Sequence, residues 1–179
     1  ISYIRAATLN GTVSPVYNNV HNVFHNGQSA TGFVRMNRGF TVVPAAKATF
    51  DTHVTVSGSI DLRDTGYLQL RGSVFLDGEV TFSSGGNIVG RNNVIRLGGS
   101  LKIPADAVIH FGGNTIVDGG GSTLELGDRA QLFIDHQVTL TLKDMVIKMG
   151  KHYEGAPAIR VGDNCSGLAL DNVKLCLSD

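Results

Sequence analysis

The segment from 150 to 157 holds the densest group of side chains that could bind a ligand. Lys151, His152, Tyr153 and Glu154 follow one another there, so an amine, an imidazole, a phenol and a carboxylate lie side by side. The segment interrupts a regular repeat, and insertions in repeat proteins map to surface loops that often bind. These four residues are therefore the predicted binding residues. The alternative is an inert insertion, because lengthening a surface loop costs little free energy.

A pair of catalytic carboxylates is the second kind of site that the residue types allow. Cleavage of a glycosidic bond needs two carboxyl groups ~5–9.5 Å apart. Asp77 and Glu79 flank Gly78 and are the best candidates for such a pair. Most acidic residues, however, fall at expected turns, where Asp bonds to its own backbone. We therefore predict turn residues rather than a catalytic pair among the outward acidic residues Asp61, Asp77, Glu79, Asp118, Glu125, Asp135 and Asp144.

Three further patterns are too incomplete to indicate a reaction. His21 and His25 have the spacing of two metal ligands on a helix, but no third ligand accompanies them. The three glycines at 119–121 lack the Gly-Lys-Ser/Thr ending of a phosphate-binding loop. Cys165 and His152 are separated by a loop and do not indicate a nucleophile with its base. We expect no metal, no cofactor and no enzymatic activity.

The composition argues against two classes of partner. Lys and Arg total 15, Asp and Glu total 15, and no basic run occurs, so the phosphate contacts that dominate nucleic-acid binding are not available. No apolar run approaches the roughly 18 residues of a membrane-spanning helix. Cys165 and Cys176 are expected to be free thiols, because a disulfide would require the strands to fold back and bring their Cα atoms close together.

The elements that must position these side chains are short strands in a regular repeat. Gly58, Gly78 and Gly98 recur every 20 residues, and each follows a short alternating apolar run. A fixed period of about 20 residues is typical of a solenoid. Alternation of apolar and polar residues indicates strands rather than helices. Each coil is predicted to hold three short strands, which in the first regular coil are 54–56, 60–62 and 67–70.

The first 40 residues are predicted to form a separate N-terminal segment. A possible strand lies at 3–9. Ser14 and Pro15 are typical of a helix start, and Gly27 of a helix end, which predicts a helix over 15–25. Its apolar side chains would lie on one face. Such a helix would cover the N-terminal end of the solenoid, which is predicted to occupy 41–179.

Short strands, glycine or Asn/Asp at the corners and stacked aliphatic residues resemble a right-handed parallel β-helix over roughly residues 40–179. The segment from Leu170 to Leu175, Leu-Asp-Asn-Val-Lys-Leu, is similar to the Asn-bearing corner of pectate-lyase-type β-helices. This resemblance implies a single all-β solenoid. It implies no activity by itself, since one fold hosts many functions. The Asn-Thr-Asp, Asp-Asp, Gly-His-Gly and Arg-Ile-Lys motifs of the glycoside hydrolases with this fold do not occur.

The expected function is therefore structural or adhesive, at the cell surface or outside the cell. The strand that ends at Leu177 is predicted to expose Val173, Leu175 and Leu177 at an open edge, and such edges pair with other chains. We expect partners of two kinds, namely further coils of a longer chain or another copy stacked head to tail as in a filament. Surface glycans are a further expected partner. The alternative hypothesis is a glycan-active β-helix enzyme or its non-catalytic part.

Overall fold

The computed structural model describes residues 12–13, 21–32, 34–152, 155 and 157–177. Within these ranges all regular elements are strands, every strand pairing is parallel, and the strands wind into a solenoid of about six turns. The predicted all-β parallel solenoid is confirmed. The strands are β1 Thr12–Val13, β2 Asn22–Phe24, β3 Gln28–Ala30, β4 Val34–Met36, β5 Phe40–Val42, β6 Lys47–Phe50, β7 Val54–Leu62, β8 Tyr67–Leu70, β9 Val74–Phe82, β10 Gly86–Leu97, β11 Leu101–Ile103, β12 Val108–Asp118, β13 Thr123–Leu126, β14 Gln131–Ile134, β15 Thr139–Met149, β16 Ile159–Val161 and β17 Gly167–Leu177.

Each coil has three faces, which we name A, B and C in chain order. Face A is β4 and the strand segments stacked on it, face B is β5 and its stack, and face C is β6 and its stack. Corners AB, BC and CA join the faces. Several predicted pairs of strands are single strands bent at corner AB, as in β7, which includes both 54–56 and 60–62.

The coils lengthen towards the C-terminus. The pairing on face A begins with steps of 20 residues and ends with a step of 28, so the regular 20-residue period holds only for the first coils. The residues that stack on one another in this column are Val34, Val54, Val74, Ile95, Val117, Leu142 and Leu170.

Alternate side chains of every face point inward and build one continuous core. In β7 the buried positions alternate with more exposed ones, as the period-2 pattern of the sequence predicts. Leu62, Leu132 and Leu142 are each at most 1% exposed, and they lie on faces B, C and A respectively. Burial of a Leu side chain contributes about 1.5–3 kcal/mol, so all three faces stabilise the solenoid in the same way.

Corner AB needs residues that tolerate a positive φ. Gly39 has a φ of 75°, and a Cβ added there would lie 1.7 Å from the backbone oxygen of Ser59, so no other residue fits. In the last two coils Asp144 and Asn172 take over this conformation, with φ of 49° and 52°. Asp and Asn accept it more readily than other residues. The Asn172 amide donates to Asp144 Oδ1 at 2.8 Å, which links the two corners.

The predicted helix over 15–25 is wrong in its described part, because Asn22–Phe24 is strand β2. Residues 15–20 and the predicted strand at 3–9 lie outside the described residues. In β2 Phe24 points inward and packs on Phe40 and Phe50, with ring centroids 5.7 and 5.8 Å away. Strands β2, β3 and β4 pair with β5, β6 and β7, so the solenoid already includes residues 22–30 and 34–36.

Candidate functional site

The predicted binding loop is tied to corner BC where it begins. The His152 ring contacts two backbone oxygens, since Nδ1 lies 2.8 Å from Gly150 O and Nε2 lies 2.7 Å from Ala130 O. The backbone N–H of Lys151 donates to Asp128 Oδ1 at 2.8 Å, while the Lys151 side chain is exposed. The His152 imidazole therefore holds the loop in place. Tyr153 and Glu154 lie outside the described residues, and the binding role of the loop stays a prediction.

The two candidate catalytic carboxylates each contact a different cation. Asp77 contacts the Arg35 guanidinium, and Glu79 contacts Lys102 Nζ at 2.8 Å. Each carboxylate is thus neutralised by a different cation. This agrees with the interpretation of these residues as corner residues.

His21 and His25 form no metal site with another residue of the described ranges, in which no group of three His, Cys, Asp or Glu side chains could hold a metal ion. The His21 ring instead contacts Arg38 O at 2.8 Å and Thr41 Oγ1 at 2.7 Å. Cys165 and Cys176 are free thiols, as predicted. The described residues contain no helix long and apolar enough to cross a membrane.

The predicted assembly edge is exposed. Leu175 is 53% and Leu177 is 77% exposed, whereas Val173 is half-buried. Leu170 and Val161 are also exposed, although they continue columns that are buried in earlier coils. Strand β17 pairs with β15, and no described strand pairs with its other edge. The last coil therefore presents an apolar surface perpendicular to the solenoid axis.

The outward columns of faces A and B alternate in charge in the C-terminal coils. On face A, Arg96 stacks on Asp118, with Nη2 and Oδ2 3.4 Å apart. On face B, Lys102 stacks on Glu125, and the hydrogen bond with the corner residue Glu79 raises the pKa of Lys102. Opposite charges on neighbouring strands stabilise a sheet by roughly 0.2–1 kcal/mol per pair. The alternating residues are Arg96, Asp118, Lys143 and Asp171 on face A, and Lys102, Glu125 and Lys148 on face B.

The outward column of face C contains no acidic residue. Three planar groups stack in its C-terminal half, with the His110 and Phe133 ring centroids 4.9 Å apart and Arg160 Cζ 5.4 Å from the Phe133 centroid. No described carboxylate forms an ion pair with Arg160, and Asp135 lies 3.6 Å from His110 Nδ1 at the side of the column. The column members are Lys47, Tyr67, Asn87, His110, Phe133 and Arg160.

Face C also carries unpaired polar atoms. Gln69 Oε1 and Asn87 Oδ1 are the two buried side-chain atoms without a hydrogen-bond partner among the described residues. They lie on neighbouring strand segments of face C, in β8 and β10. Leaving such an atom unpaired costs about 1–3 kcal/mol. Face C therefore holds buried side-chain atoms that make no hydrogen bond, and among the described residues faces A and B hold none.

A groove lies where corner BC meets face C, at residues 83–86. We call it the corner groove. A Cβ added to Gly85 would lie 2.6 Å from Val108 O, and one added to Gly86 would lie 2.4 Å from Leu62 Cβ. Only glycine allows the chain to run this close to its neighbours. The surface beside these glycines is recessed. The groove is lined by Asp61, Leu62, Arg63, Asp64, Thr65, Gly66, Ser83, Ser84, Gly85, Gly86, Asn87, Val108 and His110.

Hydrogen bonds fix one wall of the corner groove. Asp61 Oδ2 accepts from Arg63 Nε at 2.6 Å, and Asp61 Oδ1 accepts from Ser84 Oγ at 2.9 Å. The Asp61 side chain is only 13% exposed, so its carboxylate is held in place rather than freely solvated. The opposite side carries Asn87 and His110, which belong to the face C column. The groove and the column are therefore one continuous surface.

The sequence did not single out Asn87, His110, Phe133 or Arg160. One nearby residue, Asp135, was predicted as an outward acidic residue. The missing signal is the register of the coils, which places these residues in one column although their spacing is irregular. Comparison with protein-family models, with curated proteins and with solved structures gave no match.

Proposed function

We propose that this chain is a structural and adhesive module of an extracellular or cell-surface solenoid that is extended by coil stacking on β17. The observation that carries this proposal is the exposed apolar surface of the last coil. Leu142 is fully buried in the column where Leu170 is 49% exposed, so a further coil would cover Leu170 in the same way. Covering each such Leu contributes up to about 1.5–3 kcal/mol. The covering coil is a continuation of the chain or a second copy stacked head to tail.

The test replaces the apolar edge with charge. In the variant Leu175→Lys/Leu177→Lys, association of the chain at high concentration should be lost. The matched control is Val23→Lys, which changes an outward aliphatic residue that is 45% exposed on the first coil. Light scattering after size-exclusion chromatography measures the mass, and circular dichroism checks that each variant is folded. A chain that stays monomeric before any substitution would rule out stacking of copies.

The adhesive part of the proposal is supported by face C. Its column offers aromatic, amide, imidazole and guanidinium groups that are not neutralised by each other. Phe133→Ala should weaken binding to an array of immobilised glycans and matrix proteins. Phe75→Ala is the control, because Phe75 is also a half-buried outward aromatic residue but lies on face A. Equal binding by the two variants and the parent would contradict a role for face C.

A glycan-active enzyme is the second candidate. It is favoured by one observation, namely that the half-buried carboxylate of Asp61 and the imidazole of His110 both line the corner groove. Such an enzyme would release new reducing ends from a bound polysaccharide, and Asp61→Asn would abolish their release. Prolonged incubation with bound glycan that leaves its length unchanged would exclude this activity for that glycan.

A further inference from the structure

We infer that the corner groove and the adjoining half of the face C column bind a neutral saccharide chain that lies along the solenoid axis. The inference rests on the adhesive part of the proposed function and names the class of its ligand. The groove is a recess in the surface, and hydrogen bonds of Asp61 to Arg63 and Ser84 fix one of its walls.

The polar groups of the groove both donate and accept hydrogen bonds. Ser84, whose hydroxyl proton is donated to Asp61, offers acceptor lone pairs, and Asn87 offers the N–H donors of its amide, because its Oδ1 is buried. A neutral His110 imidazole has one ring nitrogen that donates and one that accepts. A sugar hydroxyl has the same double character. A surface made for a peptide carboxylate or a phosphate would present donors alone. The mixed set therefore matches a polyhydroxylated ligand.

The charge of the groove favours a neutral ligand. The Asp61 carboxylate is already compensated by Arg63, and Asp64 adds a further exposed carboxylate to the same wall. An acidic sugar in the groove would meet this negative charge without an unpaired cation beside it. Arg160, which forms no ion pair with a described residue, lies at the far end of the column.

The surface is long enough to bind an oligosaccharide rather than a single sugar. Asn87, His110, Phe133 and Arg160 occupy four successive coils. Since neighbouring strands lie ~4.8 Å apart, three steps span on the order of 14 Å, more than one sugar ring covers. The edges of Phe133 and His110 supply apolar contact between the polar ends, as aromatic side chains do in mixed polar and apolar sites.

The experiment uses isothermal titration calorimetry with hexasaccharides of β-linked glucose, mannose and galactose, and with hexagalacturonate as the acidic probe. At least one neutral hexamer should bind with a Kd below about 1 mM. His110→Ala should weaken this binding about tenfold, a loss of about 1.4 kcal/mol. The control is His136→Ala, because His136 also lies beside an aspartate, Asp163, but sits at corner CA. The control should bind like the parent, and thermal melting should show all variants folded.

The other outcomes separate the two proposals. Preferential binding of hexagalacturonate would overturn the neutral class. Failure of every hexamer, while Phe133→Ala still abolishes binding of another array ligand, would overturn the saccharide inference and leave the adhesive role intact. Saccharide binding unaffected by both His110→Ala and Asn87→Ala would place the ligand outside the groove. If Phe133→Ala changes the binding of no array ligand, the adhesive role of face C is refuted.

Discussion

Face C and the two other faces share one core but differ in what they present outward. In the C-terminal coils, faces A and B carry columns in which cations and carboxylates alternate, as in the pair of Arg96 and Asp118. Face C carries aromatic and neutral polar residues between two cations, Lys47 and Arg160, and both unpaired buried amide oxygens found in the described part of the chain. The inward residues therefore determine the fold. The outward residues differ between the faces: on faces A and B charges pair within the column, whereas on face C polar groups are available to a partner.

The largest expected effect tests the shared core. Leu142→Ala on face A, Leu126→Ala on face B and Leu132→Ala on face C should each lower the free energy of unfolding by about 2–5 kcal/mol, because each leaves a cavity among packed side chains. Urea denaturation measures the loss. A loss confined to one or two faces would show that the faces do not share the core equally.

A smaller effect is expected from reversing one charge on face A. Asp118→Lys would place a third cation between Arg96 and Lys143, and like charges on adjacent strands destabilise by up to about 1 kcal/mol. Denaturation at low and high salt should show this loss shrinking as salt screens the charges. On face C, Phe133→Lys should show a much weaker dependence on salt. The same salt dependence for both variants would remove the distinction between the faces.

A gain in stability is expected from removing an unpaired polar group of face C. Gln69→Leu eliminates a buried amide whose oxygen has no partner, and should raise the free energy of unfolding by about 1 kcal/mol. Glu125→Leu on face B removes a residue between two lysines and should not stabilise. If chemical denaturation shows that Gln69→Leu lowers the free energy of unfolding, the Gln69 amide is hydrogen-bonded. Face C then has fewer polar groups available to a partner than we infer.

The mildest effect concerns corner CA beside face C. The hydrogen bond from Ser166, helped by those from His136 and two backbone N–H groups, lowers the pKa of Asp163 from 3.8 to about 2. A lowered pKa in the folded state means that Asp163 contributes stability above pH 3.8, which is lost as the pH falls towards 2. Melting temperatures recorded across this range should fall more steeply for the parent than for Asp163→Asn. Parallel curves would refute the assignment.

The sequence predicted the architecture because its signal is local and repeated. Gly58 and Gly78 mark the corner, and the alternation around them assigns the inward residues of β7 and β9. The helix prediction failed because Val23 and Phe24 fit a helical face as well as a strand, and packing of Phe24 on Phe40 decided for the strand. The face C column could not be predicted from the sequence. Its members become neighbours only through the pairing of the coils, and the number of residues per coil changes along the chain.

The lengthening of the coils has a consequence for how such a molecule can vary. Corner AB shrinks to the single residues Asp144 and Asn172 in the last coils, while the segments at corners BC and CA grow, as at 150–158 and 162–166. Both growing corners border face C. Because longer loops cost the fold little, insertions there can reshape the surroundings of one surface and leave the stacked strands untouched. The corner segments beside face C can therefore vary in length and sequence, while the stacked strands that form the core stay the same.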